Sequence, residues 1–174
     1  MLPYNFSVTV SAKDLRYFNL YSLYHRPLGV FTTMIGIFMF FAAQWTYLGG
    51  GSLQDEIVMT IISLVVIFYM PLSLSLRAKG THGANPIFSA PLHYSLEEEG
   101  LRFYTELDLG KGVSTESKLK WDSVYKIVRT KHELLVFSNQ INAFVIPLSQ
   151  IEGKYEEIKK IFTEHVEEHK LVLK

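Results

Sequence analysis

The chain has 174 residues, in which 17 basic and 17 acidic side chains cancel and cysteine is absent. The zero net charge provides no overall attraction to a polyanion, so we expect no nucleic-acid partner. The lack of cysteine excludes disulfides, thiolate metal sites and a cysteine nucleophile. A chain of this length predicts one domain or two small parts.

Two short elements are predicted before residue 28. Residues 5–10 alternate apolar and polar side chains, which predicts a strand. Ser11 with Asp14 three places later resembles a capping box and predicts that a helix begins there. The sequence leaves two interpretations open for this helix: an interfacial helix on the inner leaflet, or a simple lead-in to the next helix.

Two charge-free apolar runs, residues 28–48 and 57–76, predict a pair of transmembrane helices. About 20 apolar residues at about 1.5 Å each are long enough to cross the ~30 Å hydrocarbon core of a bilayer. Neither run is amphipathic, as expected for helices that face lipid on most sides. We therefore expect an integral membrane protein with a two-helix hairpin.

The basic residues near the two runs predict the orientation of the hairpin. The connecting segment, residues 49–56, contains two acidic residues and no basic one. Five basic residues flank the other ends of the runs: Lys13, Arg16, Arg26, Arg77 and Lys79. Because basic residues concentrate on the cytoplasmic side of membrane proteins, we expect both termini to be cytoplasmic.

The rest of the chain has the pattern of an α+β domain. Residues 77–91 are marked by glycine and proline and predict an irregular tether. Six short strands with tight turns predict an antiparallel sheet or partly closed barrel: residues 92–96, 101–107, 114–121, 124–130, 134–138 and 143–147. An amphipathic helix over residues 152–169 is expected to close one end of it.

Several pieces of this domain resemble the YcxB-like family of bacterial membrane proteins. They are HYSLEEEGLRF, KLKWDSVYKIVRTKHELLVF and AFVIPLSQI, and the most telling are W-D-S-V at residues 121–124 and F-V-I-P at residues 144–147. The resemblance implies a pleckstrin-homology-like fold and a location in the bacterial plasma membrane. A basic residue often follows that proline in the family, whereas this chain has Leu148 and Ser149. The family implies no established chemistry.

Together these patterns divide the chain into four parts. They are an N-terminal strand and juxtamembrane helix (1–27), a transmembrane hairpin (28–76), a tether (77–91) and a cytoplasmic pleckstrin-homology-like domain (92–174). The sequence leaves open whether the N-terminal strand joins the C-terminal sheet.

One motif near the end raises the question of a metalloenzyme. His165, Glu168 and His169 have the H-x-x-E-H spacing of an inverted zinc-protease helix. A third ligand would have to come from upstream, for example His93 or His132, and nothing in the sequence selects one. Histidines in the last turn of a helix also complement its negative end without any metal. We expect a chance match, and therefore no protease and no metal site.

Phosphoinositide recognition is also not expected. The first hairpin turn carries Glu97, Glu98 and Glu99, and three carboxylates repel a phosphate head group. The basic residues of the later strands predict a solvated face: Lys111, Lys118, Lys120, Lys126, Arg129 and Lys131. Trp121 is expected in the core, with Asp122 opening a turn.

These observations favour a non-enzymatic function without a cofactor. We expect a membrane-tethered interaction or regulatory module that binds a protein or peptide at a sheet edge or beside the last helix. No phosphate-binding loop, dinucleotide fingerprint or G-x-S-x-G motif is present in the sequence. Two alternatives remain open: a self-protection protein that neutralises a membrane-active toxin, and a small enzyme or lipid-handling protein with a pocket at the barrel mouth.

Overall fold

The computed structural model describes residues 2–105 and 116–173. The chain forms two compact units, one of Asn19–Ala78 and one of Met1–Phe18 with Lys79–Lys174. The second unit is therefore discontinuous, because its chain leaves after residue 18 and returns at residue 79. Both boundaries fall inside helices, α1 (Ala12–Tyr24) and α3 (Leu53–Ala84).

The Asn19–Ala78 unit contains the two apolar runs as helices. α2 (Pro27–Leu48) and α3 are both long and apolar enough to cross a membrane. Pro27 occupies the start of α2, where its missing N–H would have no helical partner. The turn between them contains Gly50 at φ +93°, a left-handed conformation that favours glycine.

α2 packs closely in its unit through small residues seven positions apart. Gly29, Gly36 and Ala43 are its buried residues, whereas most of its large apolar side chains are exposed. A Cβ placed on Gly36 would lie 2.6 Å from Cγ1 of Ile67 on α3, which is shorter than van der Waals contact. At Gly36 the two helices therefore approach so closely that any added side chain, even that of alanine, would force Ile67 to shift; this contact is called the seam below.

The helix α3 continues past the predicted end of the second run. It includes Gly80 and Gly83 and ends at Ala84, so the first half of the predicted irregular tether is helical. Two glycines reduce helix propensity by about 1 kcal/mol each, which is why the sequence pattern indicated a loop. A tertiary contact favours the helix instead, because the His82 Nε2 atom lies 3.1 Å from the carbonyl oxygen of Val10.

The first sheet of the discontinuous unit, sheet A, joins the two ends of the chain. β1 (Tyr4–Val8) pairs antiparallel with β2 (Leu92–Leu96), so the N-terminal strand belongs to the C-terminal sheet. Two further antiparallel strands complete the order β1-β2-β3-β4: β3 (Gly100–Thr105) and β4 (Ser117–Lys120). Residues 106–115, where two predicted strands end and begin, lie outside the described residues.

The second sheet, sheet B, has the order β7-β6-β5-β8. Three of its strands were predicted: β5 (Lys126–Arg129), β6 (Glu133–Phe137) and β7 (Ala143–Pro147). β8 (Leu171–Val172) was not predicted, because two residues are too few for a periodic pattern, and it pairs parallel with β5. No closed barrel is formed by the strands that the structure describes.

The last helix is shorter than predicted. α4 covers Tyr155–His165, because the segment before it forms a short 3-10 turn that includes Gly153. At the other end Val166 adopts an extended conformation and is buried, so the chain turns away at that point. The prediction of one helix to residue 169 is therefore wrong, and residues 168–170 form a separate 3-10 turn.

Sheet B is covered on both faces. Val136 and Phe144 are cross-strand partners, and Phe144 contacts Phe103 of sheet A at 5.6 Å between ring centres. Phe137 points to the opposite face of β6 and contacts Phe18 of α1 at 6.3 Å. The core therefore has sheet A, sheet B and the first half of α1 as successive layers.

Candidate functional site

Trp121 organises one end of the discontinuous unit. Its indole N–H donates to the carbonyl oxygens of Glu97 and Glu98, both at 3.1 Å. The ring is 6% exposed and meets Phe162 of α4 edge-on at 5.9 Å. The predictions of Trp121 in the core and of Asp122 in a turn are thus confirmed, since Asp122 is exposed in the following 3-10 turn. The indole therefore connects the turn at residues 97–100, called the glutamate turn, to α4.

The glutamate turn forms one wall of an open recess. Glu97 and Gly100 exchange two backbone hydrogen bonds, of 2.8 and 3.3 Å, which closes the predicted hairpin. Glu98 and Glu99 are exposed at its tip. The recess has a volume of about 410 Å³ and is lined by Glu98, Glu99, Lys120, Trp121, Asp122 and His165.

A larger groove begins on the other side of Asp122. It has a volume of about 690 Å³ and is called the polar groove; its lining comes from three segments, residues 122–126, 138–140 and 169–170. Asn139 shapes the middle segment, because its side-chain oxygen accepts from the N–H groups of Ile141 and Asn142 at 2.8 Å. The Lys170 ammonium group reaches the Asp122 carbonyl oxygen at 3.4 Å and joins the last segment to the first.

The polar groove presents hydrogen-bonding groups around one aromatic side chain. Tyr125 is 50% exposed, and the amide side chains of Asn139 and Gln140 are also exposed. Two lysines, Lys126 and Lys170, lie in the same lining. An exposed aromatic ring beside amide and ammonium groups is suited to binding a polar chain segment by stacking and hydrogen bonds.

The H-x-x-E-H residues do not form a zinc-protease helix. His165 ends α4, with its Nδ1 atom 2.8 Å from the Ile161 carbonyl oxygen, whereas His169 lies in the next 3-10 turn. Because the helix stops between them, the two imidazoles are not placed one turn apart on one face. Within residues 2–105 and 116–173, no group of three metal-ligating side chains is close enough to hold an ion.

The two upstream histidines lie in separate places. His93 is on β2, where Nδ1 is 2.7 Å from the Ser7 hydroxyl and the ring stacks on Tyr104 at 4.9 Å. His132 is in the turn between β5 and β6 and stacks on Tyr17 of α1 at 4.2 Å. Both rings therefore connect the N-terminal segment to the C-terminal part of the unit.

The basic residues of the later strands have different environments. Three are exposed, as predicted: Lys118, Lys120 and Lys131. Arg129 is also exposed, and its guanidinium carbon lies 4.6 Å from the ring centre of Tyr155. Lys126 lines the polar groove, and Lys111 lies outside the described residues.

One buried ionisable residue was missed by the sequence reasoning. Glu133 is 0% exposed, and among the described residues neither carboxyl oxygen has a hydrogen-bond partner. Burial, together with the smaller effect of the negative charge of Asp14, raises the pKa of this carboxyl group to about 8. The signal was present, since Glu133 shares one face of β6 with Leu135 and Phe137, but its position beside a turn suggested an exposed residue.

The comparison with known families supports the resemblance drawn from the sequence. The model of the family described as YcxB-like protein matches residues 113–162. This segment extends into α4 and includes the W-D-S-V and F-V-I-P pieces, so the predicted resemblance is confirmed there. No curated protein and no solved structure matches the chain.

Proposed function

We propose that this YcxB-like chain is a membrane-anchored, non-enzymatic interaction module that binds an extended peptide segment of a protein partner in the polar groove. The observation that carries the proposal is the groove itself. Its volume of about 690 Å³ lies within the roughly 300–1,000 Å³ range of ligand sites. It is open along the surface, which suits a chain segment better than an enclosed small molecule.

The lining of the polar groove supports a peptide as the occupant. The Gln140 amide can both donate to and accept from a peptide backbone, and the NH2 group of Asn139 can donate to it. Tyr125 is an exposed aromatic ring of the kind that often contributes most of the affinity at a protein interface. Lys126 adds a positive charge suited to a carboxylate of the partner.

We also propose that α2 and α3 both cross the bacterial plasma membrane, with both termini in the cytoplasm. The support is their length and apolar composition, together with five basic residues on one side of the pair and none in the turn. Anchoring keeps the groove at a high local concentration near membrane partners, so a modest affinity is sufficient.

We further infer a pleckstrin-homology-like class for the discontinuous unit. Two antiparallel-rich sheets followed by one C-terminal helix agree with that class, and the W-D-S-V and F-V-I-P pieces are the residues that suggest it. The acidic tip at Glu98 and Glu99 does not suit a phosphoinositide head group, which needs converging cations. The class is therefore proposed for its shape and not for lipid recognition.

Site-specific photocrosslinking in native membranes tests the peptide proposal. A photoreactive phenylalanine analogue is placed at Tyr125 in the groove, with Tyr104 of sheet A as the control because it is also an exposed tyrosine. We expect one dominant protein adduct at Tyr125 and not at Tyr104, and we expect Asn139→Ala with Lys126→Glu to remove it. Equal adducts at both positions, or adducts with lipid alone, would contradict the proposal.

A further inference from the structure

We propose that the first half of α1, residues 12–18, is a proton-gated cover over sheet B, which stays closed while Glu133 is neutral and is released when Glu133 ionises. Glu133 lies at the opposite end of the β5–β6 pair from the polar-groove residue Lys126, and the cover is independent of the peptide proposal. Two features carry it: how α1 lies on β6, and a buried carboxyl group that has no hydrogen-bond partner among the described residues.

The cover is formed by one face of α1 lying over one face of β6. Asp14 and Phe18 are four residues apart and share a helix face, whereas Glu133 and Phe137 are four residues apart and share a strand face. Phe18 lies 6.3 Å from Phe137, and the charge of Asp14 acts on Glu133 at the other end. Tyr17, stacked on the turn between β5 and β6, lies beside the same contact.

The Glu133 carboxyl group is stable in this interface only when it is protonated. Neither oxygen atom forms a hydrogen bond within residues 2–105 and 116–173, and the side chain is 0% exposed. Burying an unpaired carboxylate costs far more than burying a neutral carboxyl group, so ionisation favours any state in which water reaches it. Asp14 adds repulsion and stays in place, because its Oδ2 accepts from the Ser11 N–H at 2.8 Å and from the Ser11 hydroxyl at 2.6 Å.

The other charged groups around this face do not compensate Glu133. On α1, Lys13 and Arg16 are exposed, and the Lys13 ammonium lies 5.7 Å from the Tyr17 ring centre. In the β5–β6 turn, Lys131 and His132 are exposed. On β5, Lys126 is at the far end of the strand and Arg129 lies over Tyr155, and β7 (Ala143–Pro147) contains no charged residue. None of them makes an ion pair or hydrogen bond with Glu133 in the described part of the chain.

Release of the cover would uncover an apolar surface. Cross-strand pairing places Val128, Leu135 and Val145 side by side on the α1 face of sheet B. Their exposures are 3%, 0% and 7%, so they are shielded while the cover is closed. The cover is therefore held most firmly at acidic pH and weakens as pH rises towards about 8, because over this range Glu133 ionises in the open state while it stays protonated in the closed one.

Hydrogen exchange of the full-length protein in detergent micelles tests the cover. Pulse labelling from pH 6 to pH 9.5 gives protection factors for the amides of residues 15–18, corrected for intrinsic exchange. The Leu15 N–H, the first of these amides, donates a hydrogen bond to the Ser11 carbonyl oxygen at 3.1 Å. In the unaltered protein we expect protection to fall about tenfold per pH unit from pH 6 to about pH 8, and to level off above it, where Glu133 is ionised in both states. In Glu133→Gln, which stays neutral, we expect no such fall.

Two comparisons keep this result decisive. The amides of α4 report global unfolding, and they are expected to be more protected than those of residues 15–18 at every pH, because the cover opens without unfolding of the unit. Equal protection of α4 and residues 15–18, or equal pH dependence in the unaltered protein and Glu133→Gln, would overturn the cover. Glu133→Met is a second neutral variant, with an apolar side chain, and it replaces Glu133→Gln in the comparison if the buried amide itself disturbs folding. We expect it to show the same lack of a pH-dependent fall in protection.

Discussion

The N-terminal strand is predicted to be essential for the fold of the discontinuous unit, and Phe6→Ala tests this directly. Phe6 is 5% exposed and stacks on Tyr94 of β2 at 5.3 Å between ring centres. Replacing a buried phenylalanine by alanine costs about 3–5 kcal/mol, so we expect a loss of about 4 kcal/mol in the free energy of unfolding. That is a large part of the roughly 5–15 kcal/mol that stabilises a typical domain.

Asn5→Ala is the matched control for this measurement. Asn5 is next to Phe6 in β1 but is exposed, because successive side chains of a strand point to opposite faces. We expect Asn5→Ala to change the free energy of unfolding by less than about 0.5 kcal/mol. If β1 did not belong to sheet A, the two variants would have the same free energy of unfolding.

The unfolding of the unit can be followed by the fluorescence of one tryptophan. The chain contains two, and Trp45→Phe removes the one in α2, which leaves buried Trp121 as the reporter. Urea titration in detergent should lower the midpoint of Phe6→Ala by about 2 M, at a slope near 2 kcal/mol per molar. Equal midpoints for Phe6→Ala and Asn5→Ala would refute the pairing of β1 with β2.

Three further predictions concern charge, packing and orientation. The pKa of Glu133 in the folded protein is raised from 4.5 to about 8, so the contribution of this residue to the free energy of unfolding is highest below pH 4.5 and falls as pH rises towards 8. In urea titrations Glu133→Gln should remove this slope and raise the free energy of unfolding by at most about 3 kcal/mol at pH 7. Glu152→Gln, at an exposed position, should do neither. Gly36→Leu should lower the thermal stability of the α2–α3 pair, because its side chain would overlap Ile67, and an unchanged melting curve would contradict the seam. Single cysteines at Ser52 and Ser149 should be labelled on whole cells by an impermeant thiol reagent at Ser52 only, and the reverse pattern would refute the orientation.

Elements defined by local patterns were predicted well. The two apolar helices, the strand at the N-terminus, the capping box at Ser11 and the glutamate hairpin turn are all encoded by neighbouring residues, and the structure confirms them. The early end of α4 was missed, because the spacing of Val166 fits a continuing helix, whereas in the structure Val166 is buried in an extended conformation.

Long-range partners were not predictable from one sequence. β1 and β2 pair Ser7 with His93, which are 86 positions apart, and no local signal specifies that register. β8 has only two residues, so its pairing with β5 depends on the path of the chain after α4. The polar groove likewise combines three distant segments; turn signals were recognisable at Asp122 and at residues 138–140, but nothing in the sequence indicated that these segments lie together.

The pairing of β1 with β2 also constrains the membrane topology that we propose. Because residues 4–8 and 92–96 lie in one sheet, they occupy the same side of any membrane, and the chain between them crosses it an even number of times. α2 and α3 therefore both cross or neither does, whatever the distribution of charge. The basic residues decide only the side, so reversing the charges of Asp55 and Glu56 could invert the hairpin but could not separate the strands without unfolding sheet A. The pairing of β1 with β2 thus supports the proposed pair of crossings over a single crossing.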